Sequence, residues 1–230
     1  MSEQLQIGLL LFPRLTQLDM TGPFEVFSRV PGAKVRLVWK TTEPVRSDTG
    51  LAMLPDTTLD DCPQLDVICV PGGPGVAALM EDETVLAFLR KQAAGARYVT
   101  SVCTGALVLG AAGLLRGKRA TTHWASHDFL AALGATPVDA RVVRDGNLFT
   151  GGGVTAGIDF ALTLAAELVS MEAAQAIQLQ IEYAPNPPFN AGTPGTAPAS
   201  VLHAARIKGA AMRGEREALI ARVAQRLAAA

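Results

Sequence analysis

Short, almost unbroken apolar runs that alternate with helix-forming segments constrain this fold more than any other feature of the sequence. The first run, LQIGLLLF at 5–12, has the composition of a strand covered on both faces, as in the centre of a parallel sheet. Turn and cap residues follow it, and residues 19–30 then show the apolar spacing of a helix. Because this order recurs along the chain, we predict an α/β fold: a doubly wound, mostly parallel sheet sandwiched by helices.

Later segments extend the same pattern. Further strands are predicted at 33–40, 65–73 and 97–102, and further helices at 82–96, 104–115 and 154–169. The Asp-Gly-Asn turn inside residues 141–153 predicts a hairpin-like pair of strands. Residues 119–124 are also β-prone, and we expect them to join the same sandwich.

The composition changes at the C-terminal end of the chain. Five prolines within 185–198 exclude a regular helix or a central strand there. Beyond them the sequence is helix-prone, with Leu219, Val223 and Leu227 on one apolar stripe. We therefore predict a single α/β domain over residues 1–180, and over 181–230 a Pro/Gly-rich arm and helical tail that pack on the domain or on a dimer partner.

Charge and cysteine content exclude several functional classes. Twenty basic and twenty-one acidic side chains give no bulk attraction to nucleic acid or to an anionic membrane. Three cysteines without metal-ligand spacing argue against a disulfide scaffold and against a zinc site, so we expect no metal. The N-terminal apolar run is too short to span a membrane and lacks a basic flank, which favours a cytoplasmic protein.

Cys103 lies where a predicted buried strand gives way to a predicted helix, the edge at which α/β folds place their ligands. The position resembles a nucleophile elbow, with Gly105 in place of the second glycine of the G-x-S-x-G pattern. Backbone N–H groups at the start of the helix predict a thiol pKa below its reference value. The alternative is a small core residue, since free cysteine is among the most buried residue types.

Two other segments can supply partners to such a thiol. The loop VPGGPG at 70–75 ends a predicted strand and exposes backbone N–H groups, which suits an oxyanion pocket or, alternatively, a tight packed connection. Asp19 follows the first strand, and a carboxyl beside a thiolate has a raised pKa and can carry a proton at neutral pH. Its alternative role is to cap the helix that follows. His123 is a possible partner of Cys103, or a capping or core histidine.

Four segments, taken together, resemble the ThiJ/PfpI superfamily, which has the glutamine-amidotransferase-like (flavodoxin-like) sandwich. They are LDMTGPFEVF, DVICVPGGPG, SVCTGALVLGAAGLLRGKRATTHW and VRDGNLFTGGGVTAGIDFAL, and they occur in the order found in that superfamily. Within it, the chain most resembles the bacterial isocyanide hydratases, including the arm EYAPNPPFNAGTPGTAPAS and the tail. The resemblance implies addition of water to an isocyanide through a cysteine thioimidate, giving an N-substituted formamide.

The resemblance also implies roles for individual residues. Cys103 matches the nucleophile, Asp19 the acid that protonates the isocyanide carbon, and Thr104 the residue that helps to hold the intermediate. Gly72 and Gly73 match the loop that faces it, and His123 is placed near the site without a role. The resemblance implies a homodimer with a small-molecule substrate and no cofactor.

Other activities remain open from the sequence. A glyoxalase or deglycase would use the same cysteine on an α-oxoaldehyde, although such enzymes normally have glutamate in place of Asp19. A non-enzymatic redox sensor would oxidise Cys103 to a sulfinate. A transcription regulator carrying this fold would need a DNA-binding domain of about a hundred further residues and a basic patch.

Overall fold

The computed structural model describes residues 4–229. The strands in this part of the chain are β1 (Leu5–Leu10), β2 (Ala33–Trp39), β3 (Val45–Arg46), β4 (Ala52–Met53), β5 (Thr57–Thr58), β6 (Val67–Val70), β7 (Tyr98–Val102), β8 (Arg119–Ala120), β9 (Thr136–Pro137), β10 (Val142–Asp145) and β11 (Leu148–Gly151). The helices are α1 (Gln17–Phe27), α2 (Val76–Leu79), α3 (Glu83–Gly95), α4 (Gly105–Ala111), α5 (Phe129–Ala132), α6 (Ala156–Leu168), α7 (Met171–Gln180) and α8 (Ala199–Ala228), with a 3₁₀ turn at Trp124–Ser126.

A single twisted sheet forms the centre of the molecule, in the strand order β10, β11, β7, β6, β1, β2, β5. Every neighbouring pair in it is parallel except the β10–β11 hairpin at one edge. The predicted doubly wound, mostly parallel sheet is therefore confirmed. Strands β6 and β11 are fully buried along their length; the sequence of β6 is a continuous apolar run, whereas β11 includes the buried Thr150.

Helices cover both faces of this sheet. On one side α1 packs on α6, which in turn packs on α7, and the rings of Phe27 and Phe160 meet edge to face with centroids 5.9 Å apart. On the other side α4 is buried along its whole length among α2, α3, α5 and α8. The carboxyl ends of the central strands thus open between two helical layers.

Three segments differ from the sequence-based expectation. Residues 119–124 do not join the main sheet: only β8 is extended, and it pairs with β9 in a separate two-stranded sheet, because the chain then turns into the 3₁₀ turn. Helix α7 was not anticipated; it begins after Ser170, whose hydroxyl accepts a hydrogen bond from the Ala173 N–H at 3.2 Å. Helix α1 begins at Gln17, so Asp19 lies inside its first turn and does not cap it.

The two halves of α8 have different surroundings. Its residues up to position 215 are almost all exposed, whereas Arg216, Leu219, Ile220 and Val223 are buried on α4, α5 and the 3₁₀ turn. The expected stripe therefore does contact the domain of its own chain. No helix within residues 4–229 is both long enough and apolar enough to cross a membrane.

Candidate active site

The backbone at the end of β7 turns sharply at Cys103. Its φ of 54° lies in the left-handed region, which non-glycine residues occupy at a cost of about 1–3 kcal/mol, and often at functional sites. Its N–H donates to the carbonyls of Gly152, at 2.8 Å, and Gly151, at 3.1 Å, and the Thr122 hydroxyl donates to its carbonyl at 2.7 Å. The strained turn is held by neighbouring elements, as a nucleophile elbow requires.

Gly105 explains how α4 starts so close to the neighbouring strand. A Cβ at this position would lie 2.0 Å from the carbonyl oxygen of Val70 and 2.7 Å from that of Pro71. Only glycine allows the first turn of α4 to rest against the end of β6. This contact places the loop after β6 next to Cys103.

Asp19 extends from α1 towards Cys103 and the loop after β6, and it is fully buried. One carboxylate oxygen, Oδ2, accepts the Gly72 N–H at 2.8 Å, while Oδ1 has no hydrogen-bond partner within residues 4–229. Burial raises the pKa of Asp19 to about 7, against the opposing effects of the Gly72 hydrogen bond and of contact with the Cys103 thiol. The carboxyl can therefore both accept and donate a proton at neutral pH.

The pKa of the Cys103 thiol is raised above its ordinary value, so the predicted lowering is wrong. Burial is the main cause, since the side chain is only 6% exposed, and the negative charge of Asp19 adds to it. The Thr104 N–H lowers the pKa but does not outweigh burial and the charge of Asp19. The thiol of Cys103 is therefore protonated at neutral pH, and Asp19, whose pKa is about 7, is the member of the pair that exchanges a proton there.

Thr104 and the loop after β6 hold the pair in position. The Gly73 N–H donates to the Thr104 hydroxyl at 3.0 Å, and Gly72 uses its N–H on Asp19. A Cβ on Gly72 would lie 2.5 Å from the Thr104 nitrogen and 2.7 Å from Asp19 Oδ2, so only glycine fits there. The N–H groups of both glycines thus orient side chains of the site.

His123 lies beside the site as the N-cap of the 3₁₀ turn. Its Nδ1 accepts the N–H of Ala125 at 3.3 Å, which places its ring proton on Nε2. Burial, together with the charge of Arg216, lowers the pKa of His123, so the ring is neutral at pH 7. The groups that set the pKa of Cys103 are Asp19 and Thr104, and His123 is not among them.

The other two cysteines have ordinary backbone conformations. Cys69 lies inside β6, fully buried, and burial raises its pKa to about 12. Burial also raises the pKa of Cys62 to about 11. Within the described residues, no group of three or more histidine, cysteine, aspartate or glutamate side chains could hold a metal ion.

Arg216 is a residue of this region that sequence reasoning missed. It lies on α8 and is 8% exposed, and its Nη1 donates to the hydroxyl of Ser126 at 2.9 Å. A signal was available, because Arg216 precedes Leu219 and Ile220 at the spacing of one helix face. Extending the apolar stripe back by one turn would have placed it on the packed side.

The profile of the DJ-1/PfpI family matches residues 6–167, which is well over half of the chain. The chain belongs to the DJ-1/PfpI family. The predicted relationship to the ThiJ/PfpI proteins is thereby confirmed.

Individual members of the family resemble this chain to different degrees. The chain is 68% identical over 206 residues to the isonitrile hydratase of Pseudomonas putida, a match that covers 90% of each protein. The crystal structure of a ThiJ/PfpI family protein from Pseudomonas syringae superposes with a TM-score of 0.92 at 47% identity, covering 94% of this chain and 90% of that one. A glutathione-independent glyoxalase of Caenorhabditis elegans, DJR-1.2, is 30% identical over 143 residues, or 61% of this chain and 76% of the relative.

Proposed function

We propose that this chain is an isocyanide hydratase, a hydro-lyase that adds water to an organic isocyanide to give an N-substituted formamide. The observation that carries the proposal is the strained Cys103 beside a buried Asp19 whose pKa is about 7. The relative named isonitrile hydratase, isonitrile being a synonym of isocyanide, supports this activity over most of the chain.

The first half-reaction adds the thiol across the terminal carbon of the isocyanide. Asp19 accepts the proton of Cys103 and delivers it to that carbon while the sulfur attacks the same atom. The S–H bond breaks and the S–C and C–H bonds form, so that R–N≡C becomes the thioimidate R–N=CH–S–Cys103. A carboxyl whose pKa is about 7 suits both transfers, because it neither holds nor releases the proton too strongly.

The second half-reaction hydrolyses the thioimidate. Asp19, now ionised, accepts a proton from water as the oxygen attacks the former isocyanide carbon. Nitrogen takes up a proton as the C–S bond breaks, releasing R–NH–CHO and regenerating the thiol. Asp19 supplies the proton to nitrogen, and the hydroxyl proton of the adduct passes to sulfur. Because the pKa of Cys103 is raised, the sulfur needs this proton as the C–S bond breaks.

The shape of the site also suits this substrate class. The side chain of Cys103 is only 6% exposed, which leaves little room around its sulfur. An isocyanide presents a linear, two-atom N≡C group with its reactive carbon at the tip, and this group needs less room than a carbonyl carbon with two substituents. Thr104, Gly72 and Gly73 hold the reacting pair, and His123 is placed near it with no role assigned. No step of this chemistry requires a cofactor.

The test is formamide production from a simple alkyl or aryl isocyanide, comparing the wild type with Cys103→Ala. We expect turnover in the wild type and none above background in the variant. The matched control is Cys69→Ala, which removes a buried thiol of the neighbouring strand and retains turnover. Lack of turnover in the wild type would contradict the proposal and favour the α-oxoaldehyde activity of the glyoxalase relative, or a redox role for Cys103.

We also propose that the protein is a homodimer built from a catalytic domain over 1–180 and an arm and tail over 181–230. Large apolar side chains of these C-terminal segments are exposed in the single chain, among them Phe189 at 78% and Ile207 at 64%. A second copy would cover them, and light scattering on the purified chain measures this directly. A cytoplasmic location fits the three free cysteines.

A further inference from the structure

The backbone carbonyl of Cys103 is hydrogen-bonded to a side chain from a distant part of the chain. Strand β7 has ended at this residue and α4 begins only at Gly105, and within residues 4–229 no backbone N–H donates to this carbonyl. The hydroxyl of Thr122 donates to it instead, at 2.7 Å. Both residues are buried, and a buried carbonyl is costly without a partner. A single hydroxyl therefore satisfies the carbonyl of the strained residue.

The segment that carries Thr122 is also held by contacts that do not involve its hydroxyl. Strand β8 just before it pairs with β9, and the Val138 N–H donates to the Ala120 carbonyl at 2.8 Å. The Thr121 N–H donates to the hydroxyl of Thr150 on β11 at 2.9 Å. We therefore expect the segment to keep its position when the Thr122 hydroxyl is removed.

The peptide bond between Cys103 and Thr104 connects this contact to the reacting groups. Because the peptide is trans and planar, its C=O and its N–H point in opposite directions. The carbonyl points to Thr122, and the Thr104 nitrogen lies on the side of the acid. A Cβ on Gly72 would lie 2.5 Å from that nitrogen and 2.7 Å from Asp19 Oδ2. The direction of the carbonyl thus sets the direction in which the Thr104 N–H points.

This N–H acts on the sulfur of Cys103. Burial raises the pKa of the thiol, and a hydrogen bond from the Thr104 N–H opposes that effect. The φ of 54° at Cys103 is a strained conformation, which persists only where surrounding contacts fix it. Without its donor, the Cys103 carbonyl would be free to turn towards another partner, and the Thr104 N–H would turn away from the sulfur with it.

We propose that Thr122 is a positioning residue of the reaction: its hydroxyl fixes the peptide plane between Cys103 and Thr104 and so directs the Thr104 N–H at the sulfur. The sulfur gains negative charge as its proton passes to Asp19, and a fixed N–H stabilises that charge. The inference rests on the proposed function, because it concerns the same thiol. Its test is alkylation of Cys103, which needs no isocyanide, so that the two proposals can fail separately.

The charged and titratable groups around the elbow are unchanged in this test. They are Asp19, Asp48, Cys69, His123 and Arg216. Of these, His123 is adjacent to Thr122 in the chain, and it is neutral at pH 7 because burial lowers its pKa. Its contact with the Ala125 N–H does not involve the Thr122 side chain.

The experiment measures the rate of Cys103 alkylation by iodoacetamide between about pH 7 and 10, by peptide mass spectrometry, with Cys62 of the same protein as internal reference. In Thr122→Val, which keeps the shape of the side chain without its hydroxyl, we expect the pH midpoint to rise by about 0.5–1 unit, or a roughly threefold to tenfold lower rate below it. Thr122→Ser keeps the hydroxyl and should keep the wild-type rate. The matched control is Thr100→Val, which removes a buried β7 hydroxyl that donates to the Ile68 carbonyl at 2.9 Å and should leave the rate unchanged.

Three outcomes overturn the proposal. They are a wild-type rate in a folded Thr122→Val, a rate in Thr122→Ser as low as that of the valine variant, and an equal slowing in Thr100→Val, which would trace the effect to loosening of β7. If Thr122→Val does not fold, Thr122→Ala is compared with Thr122→Ser, since both lack the methyl group and differ in the hydroxyl. A lower rate in the alanine variant supports the proposal, and equal rates overturn it.

Discussion

The carboxyl ends of β6 and β7 are adjacent in the sheet and each has a buried cysteine, yet the two regions differ in kind. Cys69 continues a regular strand, with Leu9 and Thr100 as its neighbours across the sheet. Cys103 leaves the strand with φ of 54° and meets Asp19. The pKa is raised in both by burial, so neither burial nor pKa separates the proposed nucleophile from Cys69. The backbone turn at Cys103 and the neighbouring Asp19 carboxyl distinguish the two cysteines.

The largest expected effect tests the proton partner. Asp19→Asn keeps the volume and the hydrogen bond to Gly72 but cannot carry a proton, so we expect formamide turnover to fall by about 10² to 10⁴-fold. Asp48→Asn is the control, because Asp48 only raises the pKa of Asp19 from a distance. If Asp19→Asn had the same turnover as the wild type, Asp19 would transfer no essential proton, and the Cys103 region would differ from the Cys69 region only in its backbone turn.

The next effect tests the contact between the two regions. Gly105→Ala would place its Cβ 2.0 Å from the Val70 carbonyl, and we expect a loss of about 3 kcal/mol in the free energy of unfolding, measured with urea. Gly209→Ala, on the exposed part of α8 with no atom within 4 Å of the new Cβ, should gain about 0.5–1 kcal/mol. Equal stability of Gly105→Ala and wild type would show that α4 can move away from β6.

A further effect concerns pH. The pKa of Asp19 is raised in the folded state to about 7 from 3.8, so the native protein keeps a proton that the unfolded chain loses. This stabilisation is fully present below about pH 4 and is lost as the pH rises through about 7. We expect the unfolding midpoint of the wild type to fall relative to that of Asp19→Asn between pH 4 and 8. A constant difference across that range would contradict the raised pKa.

The smallest effect is expected at the inert cysteine. Cys69→Ala removes one buried sulfur and should cost about 1 kcal/mol of stability, measured with urea, because only a small void is left. Its turnover should match that of the wild type, since no group of the site depends on this thiol. A large loss of turnover would mean that the two strand ends work as one site.

Several elements were predictable because their determinants are local. The apolar runs and the Asp-Gly-Asn turn indicated the central strands and the β10–β11 hairpin, and the residues after Cys103 indicated the elbow. The β-prone run at 119–124 was misplaced, because its pairing depends on β9 and not on its own composition. The thiol pKa was misjudged for a similar reason, since a helix start is visible in the sequence and the degree of burial is not.

The sequence by itself determined the sheet, the position of Cys103 at a strand end and the family resemblance, because apolar periodicity and glycine spacing are properties of neighbouring residues. Only the tertiary structure decided which distant groups meet there. It brought Asp19 from α1 and the Gly72 N–H from the loop after β6 together beside Cys103. Burial and charge compensation are sums over all of these contacts, and so the protonation of the site is fixed only when the chain is folded.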